Sequence, residues 1–183
     1  MIDACDLPAA SLLGRYRGDG GYADCYVTEL PWPISQAEYV QAFYSTRLFK
    51  VERLLIRLFL SRPSTDAEAG RLARGELDTF AAWSVEDRTA DQLLLADVGG
   101  RTRSWLMAGP SRSAGSVGTR LHFGSAVVPA RRARSGGRSG RGALFTALLG
   151  FHKLYSRLLL RAARARLSRQ HGSGTPTRNG GER

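Results

Sequence analysis

Lysine is almost missing from this chain: 2 residues against 25 arginines in 183. With many alanines and glycines beside it, that bias reads as the mark of a GC-rich bacterial genome rather than of a functional site. Cysteine is equally scarce. Cys5 and Cys25 read as two unpaired thiols in a reducing compartment. No Cys/His cluster has the ligand spacing of a structural zinc, so no metal is implied. Apolar runs stop short of the ~18 residues that a membrane-spanning helix needs. The first residues, MIDACDLPAASLLGRYRGDG, carry acids where a secretory leader wants a basic start. The expected location is the cytoplasm. No P-loop or dinucleotide fingerprint occurs, since GDGG at 18–21 is turn material, and no cofactor is implied.

Acidic residues are also missing from one region, and this sets the charge pattern. Residues 130–183 hold thirteen basic residues against a single acid, Glu182, a net +12. The first 129 residues hold 14 basic residues against 15 acids, a net −1. A neutral body with a basic C-terminal third points to an appendage rather than to a nucleic-acid-binding fold.

The chain is long enough for one domain with its own core. Residues 1–20 read as an irregular N-terminal arm, and 21–129 as a strand, helices and a meander. Residues 130–142 read as a Gly/Arg-rich linker, 143–167 as a long helix of the same domain, and 168–183 as a disordered tail. YADCYVTELP (22–31) has β-formers and ends at prolines. Ser35-Gln36-Ala37-Glu38 is a capping box that opens a helix, and Ser45-Thr46 is placed to divide it; Arg62-Pro63 ends the region. Thr65-Asp66-Ala67-Glu68 is a second capping box, with a helix stop near Gly75. From Thr79 the hydrophobic period becomes two. TFAAWSVE, DQLLLAD, RTRSWLMAG and GTRLHFGSAVV read as four strands of an antiparallel meander. In the last helix Leu144, Leu148, Phe151, Tyr155 and Leu158 form the expected apolar stripe. The fold class is therefore α+β: an antiparallel sheet covered by a long C-terminal helix.

This order resembles the helix-grip superfamily (SRPBCC), which holds START-like lipid carriers and polyketide cyclase-like proteins. The strings YADCY, RPSTDAEA, DTFAAW, GRTRSWLM, TRLHFGSAVVP and FHKLYSRLLLRAA are similar to an uncharacterised bacterial family within it. The resemblance spans roughly residues 20–167 and implies a curved sheet gripping the last helix around an elongated cavity. It implies no catalytic residue. The helical region 35–74 is longer than the two short helices usual in that superfamily.

RTRSWLM (101–107) holds the most pointed question. With Gly99-Gly100 as a two-residue turn, Leu94 faces Trp105, Ala96 faces Arg103 and Val98 faces Arg101. One face then carries Leu94, Trp105, Ala96 and Arg103. The other carries Leu93, Leu106, Leu95 and Ser104. The Trp105 face is expected to look into the cavity, and Arg103 to be a charge entering an apolar chamber. Such a charge needs a partner: Asp24, Asp78 or an anionic ligand. His152, beside Tyr155 on the helix, and His122, in the last strand, are candidates for proton transfer because of their near-neutral pKa. Trp83 is expected in the pocket wall. The reading that follows is a cavity for a hydrophobic small molecule, which could carry an anionic group, with Arg103, Trp105, Trp83, Leu94, Asp24, His152, His122 and Tyr155 as candidate ligand-binding residues. A cyclase- or dehydratase-type enzyme, with a histidine and Arg103 on one void, is the alternative. A weak attachment to anionic lipid or RNA through the basic C-terminal segment is a third.

Overall fold

The computed structural model describes residues 1–18, 22–51, 53, 64–111, 117–128 and 141–173, with residues 141–151 described by backbone only. Seven strands form one antiparallel sheet: β1 (Asp3–Ala4), β2 (Tyr22–Leu30), β3 (Thr79–Phe80), β4 (Trp83–Arg88), β5 (Gln92–Asp97), β6 (Thr102–Ser111) and β7 (Gly118–Val127), in the order β1-β2-β7-β6-β5-β4-β3. From β3 to β7 the sheet is a meander of short connections. The first long strand, β2, pairs with the last, so that Asp24 lies opposite Ser125 and Tyr26 opposite Phe123. Three helices with both ends described are α1 (Gln36–Tyr44), α2 (Asp66–Ala73) and α3 (Arg141–Ser173). No helix among the described residues is long and apolar enough to cross a membrane.

Both capping boxes form. Ser35 Oγ accepts from the Glu38 amide at 3.2 Å while Glu38 accepts from the Ser35 amide at 2.8 Å. Thr65 and Glu68 repeat the exchange at 3.1 and 2.7 Å. The break at Ser45-Thr46 is real: helix resumes at Arg47, and Thr46 Oγ1 caps the new turn by accepting from the Phe49 amide at 3.1 Å. The Arg62-Pro63 stop lies outside the described residues. Past α2, Gly75 takes φ +80, the left-handed stop expected there.

The sheet is buried on both sides. On one side α1, α2 and α3 cover Tyr26, Leu93, Leu95, Leu106, Leu121 and Phe123. On the other, Leu7 and Leu13 of the N-terminal arm cover Cys25, Leu94, Trp105 and Ala126. The arm is therefore built rather than irregular. It holds β1 and a 3-10 turn over Leu12–Tyr16, and it supplies from within the chain the cover that the second apolar face needs.

Three further expectations are corrected. TFAAWSVE is two strands, because Ala81 takes φ 52 and closes a tight hairpin in which Phe80 pairs with Trp83. The last helix begins at Arg141 and runs to Ser173, so residues 168–173 are helix rather than tail; His171 there stacks on Trp32 with ring centroids 4.4 Å apart. The buried stripe of α3 runs through Ser156, Leu160, Ala163 and Leu167, while Leu158 is 43 % exposed. Leu158-Leu159-Leu160 is apolar all round the turn, so the pattern leaves the phase open and packing against the sheet selects it. The side chains of Leu144, Leu148 and Phe151, with linker residues 130–140 and the last ten residues, lie outside what is described, and residues 141–142, expected in the linker, belong to the helix.

Candidate functional site

The expected register of the β5–β6 hairpin holds, with Leu94 opposite Trp105 and Ala96 opposite Arg103. The face does not. Leu94 and Trp105, both fully buried, lie under the N-terminal arm and not toward α3. Trp105 Nε1 donates to Gln92 Oε1 at 2.9 Å, and the same oxygen accepts from the Leu12 amide at 2.9 Å. Gln92 Nε2 in turn donates to the Ala10 carbonyl at 3.1 Å. The tryptophan is thus a fastening point for the arm, and Gln92 is one of the residues that sequence reasoning missed, with Glu86, Ser125 and Ser156.

Arg103 follows the same correction. Its partner is neither Asp24 nor Asp78 but Glu86, with which it forms an ion pair. It also donates to Tyr16 Oη at 3.0 Å and to the Gly100 carbonyl at 2.9 Å, and its guanidinium lies 4.8 Å from the Tyr16 ring centre. Its side chain is 13 % exposed. A β-bulge is responsible. Val85 pairs with Leu95 and Asp87 with Leu94, leaving Glu86 as the extra residue. A bulge of this kind turns two successive side chains to one side, and here Glu86 and Asp87 both meet the arm: Tyr16 donates to Glu86, and Arg15 pairs with Asp87. Burial works against the Arg103 charge, but Tyr16 and Glu86 outweigh it and its pKa stands above the ordinary value. Nothing in the strand pattern announces the bulge.

His122 is also on the arm side, between Val27 and Met107 in the sheet and 6.1 Å from Trp105. Burial, then the Arg120 charge, lowers its pKa to about 4, and a hydrogen bond to the Met107 backbone only partly offsets them. It is a neutral core histidine at physiological pH.

On the opposite side, between sheet and α3, lies a cavity of about 210 Å³. It is lined by Phe43 and Phe49, by Phe123, Ser125 and the 102–104 run of β6 from the sheet, by His152, Tyr155, Ser156 and Leu159 from the helix, and by Trp83. Four expected residues, Trp83, Arg103, His152 and Tyr155, line it, Arg103 with its guanidinium committed to Glu86 and Tyr16. Two donors in this wall, Trp83 Nε1 and Ser156 Oγ, are buried and have no hydrogen-bond partner among the described residues. An unpartnered buried donor costs about 1–3 kcal/mol, and an acceptor in the cavity would relieve it.

Behind the wall stands a polar chain. Ser125 Oγ donates to Asp24 Oδ1 at 2.6 Å and is 2.5 Å from His152 Nε2. Asp24 Oδ2 accepts from Tyr22 Oη at 3.1 Å and Tyr26 Oη at 3.3 Å. Burial first, then the Asp24 charge, raises both tyrosines, Tyr26 to about 12, so each remains a donor. Lys153 lies 5.8 Å from the Tyr22 ring and Arg157 5.2 Å from that of Tyr26. Asp24 is thus a supporting residue one bond removed from the cavity. The arrangement differs from a nucleophilic triad, in which the carboxylate holds the imidazole from its far nitrogen; here carboxylate and imidazole share the hydroxyl. What it can do is pass a proton along His152, Ser125 and Asp24. No group of three or more His, Cys, Asp or Glu suited to a metal occurs among the described residues. No family model matches the chain, and no curated protein matches it.

Proposed function

We propose that the protein binds a small, largely apolar molecule between the sheet and α3, with Trp83 Nε1 and Ser156 Oγ donating to a polar group of that molecule. The observation that carries this reading is the pair of buried, unpartnered donors in a wall that also holds Phe43, Phe49, Phe123 and Leu159. Pockets for drug-sized ligands span ~300–1,000 Å³, so a cavity of about 210 Å³ suits a single aromatic ring or a short chain better than a full lipid tail. Arg103 is spoken for by Glu86, and an anionic end, if the ligand has one, meets neutral donors instead. The finer reading of the fold is a helix-grip domain. It is supported by a first long strand paired with the last, helices inserted after it, and a terminal helix laid across the sheet. A cytoplasmic location accompanies that reading.

The test is binding of benzoate- and octanoate-sized acids, followed by thermal shift and native mass spectrometry of the protein purified from its host. Ser156→Ala and Trp83→Phe are each expected to weaken affinity several-fold, and Leu159→Trp, which fills the space, to abolish it. Absence of any retained small molecule together with no thermal shift across the panel overturns the proposal.

The Asp24–Ser125–His152 chain favours a second reading, a cyclase- or dehydratase-type enzyme with His152 as the proton carrier. His122 and the Arg103 guanidinium have no part in it, since both sit on the arm side of the sheet. Under this reading His152→Asn retains ligand and loses turnover; equal turnover in the variant removes it.

A further inference from the structure

The two cysteines face each other across the edge of the sheet. Asp3 pairs with Val27 and Ala4 with Tyr26, and the register carries on to set Cys5 opposite Cys25, with the Cys5 amide donating to the Cys25 carbonyl at 3.0 Å. Their sulfurs are hydrogen-bonded at 3.0 Å. Directly opposed antiparallel residues stand ~4.5–5.5 Å apart at Cα, inside the ~4.4–6.8 Å that a disulfide spans. Cys5 is partly exposed and Cys25 buried beneath the arm.

We propose that Cys5 and Cys25 form a dithiol modification site, in which a peroxide oxidises the pair to a cross-strand disulfide that fastens the N-terminal arm to the sheet. The chemistry divides between them. The hydrogen bond between the two sulfurs lowers the Cys5 thiol, with burial opposing, whereas that same bond and burial push Cys25 far up. Cys5 is the accessible nucleophile and Cys25 the resolving thiol. The Cys5 thiolate attacks one peroxide oxygen, the O–O bond breaks, and Cys5 becomes a sulfenic acid as the other oxygen leaves as water or an alcohol. The Cys25 sulfur then attacks the Cys5 sulfur; the S–S bond forms, the S–OH bond breaks, and hydroxide leaves with the Cys25 proton as water. Two thiols and one peroxide give one disulfide, one water and one water or alcohol. The arm covers Trp105 and carries Arg15 and Tyr16, so the bond locks the cover of the second core.

The test uses the full chain treated with hydrogen peroxide and then trypsin, which cuts after Arg15 and Arg17. Expected are loss of both thiols together, a mass decrease of two hydrogens, and an arm peptide that stays attached until a reductant is added. The Cys5→Ser variant, a small change at a partly exposed site, is expected to lose that attachment, and Cys25→Ala to leave a sulfenic acid on Cys5 that dimedone traps. Two free thiols persisting after peroxide, oxidation of Cys5 to the sulfinic acid with Cys25 still reduced, or a disulfide-linked dimer would each overturn it.

Discussion

Arg103 and Glu86 show how one side chain takes its meaning from a neighbour that the sequence does not place. An arginine 13 % exposed beside a carboxylate 21 % exposed is held by charge-assisted bonds, each worth about 1.5–3 kcal/mol. Among the described residues, Arg103→Met leaves Glu86 with Arg15, 3.8 Å away, and Tyr16. The expected cost is about 1–3 kcal/mol in urea unfolding; an unchanged midpoint would mean that the pair contributes nothing. His122 makes the pH prediction. Its folded pKa of about 4 lies below the unfolded value near 6.5, so between those limits the unfolded chain binds more protons. Stability due to this residue is intact above about pH 6.5 and falls as pH drops toward 4, by a few kcal/mol in the limit. His122→Gln removes that component, so thermal melts of the two proteins, compared from pH 7 to pH 4, should converge or cross as the pH falls. Parallel curves would contradict a buried neutral imidazole. The need of Arg103 for a partner, a carboxylate or an anionic ligand, was legible from its strand position. Which carboxylate was not, because the bulge that presents Glu86 leaves no trace in the alternation.

Among the elements, the N-terminal arm departs most from expectation. Its sequence has few regular signals, yet Leu13 is fully buried against Trp105 and Leu94. Leu13→Ala is expected to destabilise the protein by about 2–5 kcal/mol and to move tryptophan emission to the red as Trp105 meets water. Gly124 sets the height at which the arm rides over the sheet. A Cβ there would stand 2.8 Å from Leu13 Cδ2 and 3.0 Å from Trp105 Cε3. Gly124→Ala should therefore cost about 1–3 kcal/mol and speed tryptic cleavage at Arg15 and Arg17. The helix boundaries fared differently. Two capping boxes and the Thr46 break were readable, because a cap is a contact between residues three apart. The phase of α3 was not, because three successive leucines satisfy more than one face.

For the whole molecule, the pairing of β2 with β7 is decisive. It joins residues 22–30 to 119–127, so the sheet cannot be completed until almost the full length of the body has been ordered. Loop closure on that scale costs entropy before any contact compensates it. Refolding from urea is expected on the millisecond-to-second scale; microsecond folding would show that the β3–β7 meander alone directs the process. Local chemistry in the chain was enough to specify where α1 and α2 begin, the hairpin register at Gly99-Gly100, and an α+β architecture with a terminal helix, since each depends on periodicity or on contacts a few residues apart. It was also enough to mark Trp83, His152 and Tyr155 as candidates for one cavity. Only the tertiary structure decided which face of the sheet meets α3, because both faces are apolar and alternation alone treats them alike. The arm, claiming the Trp105 side through Gln92, Leu13 and the Arg103–Glu86–Tyr16 cluster, breaks that symmetry, and so leaves the cavity to Trp83, Ser125, His152 and Ser156.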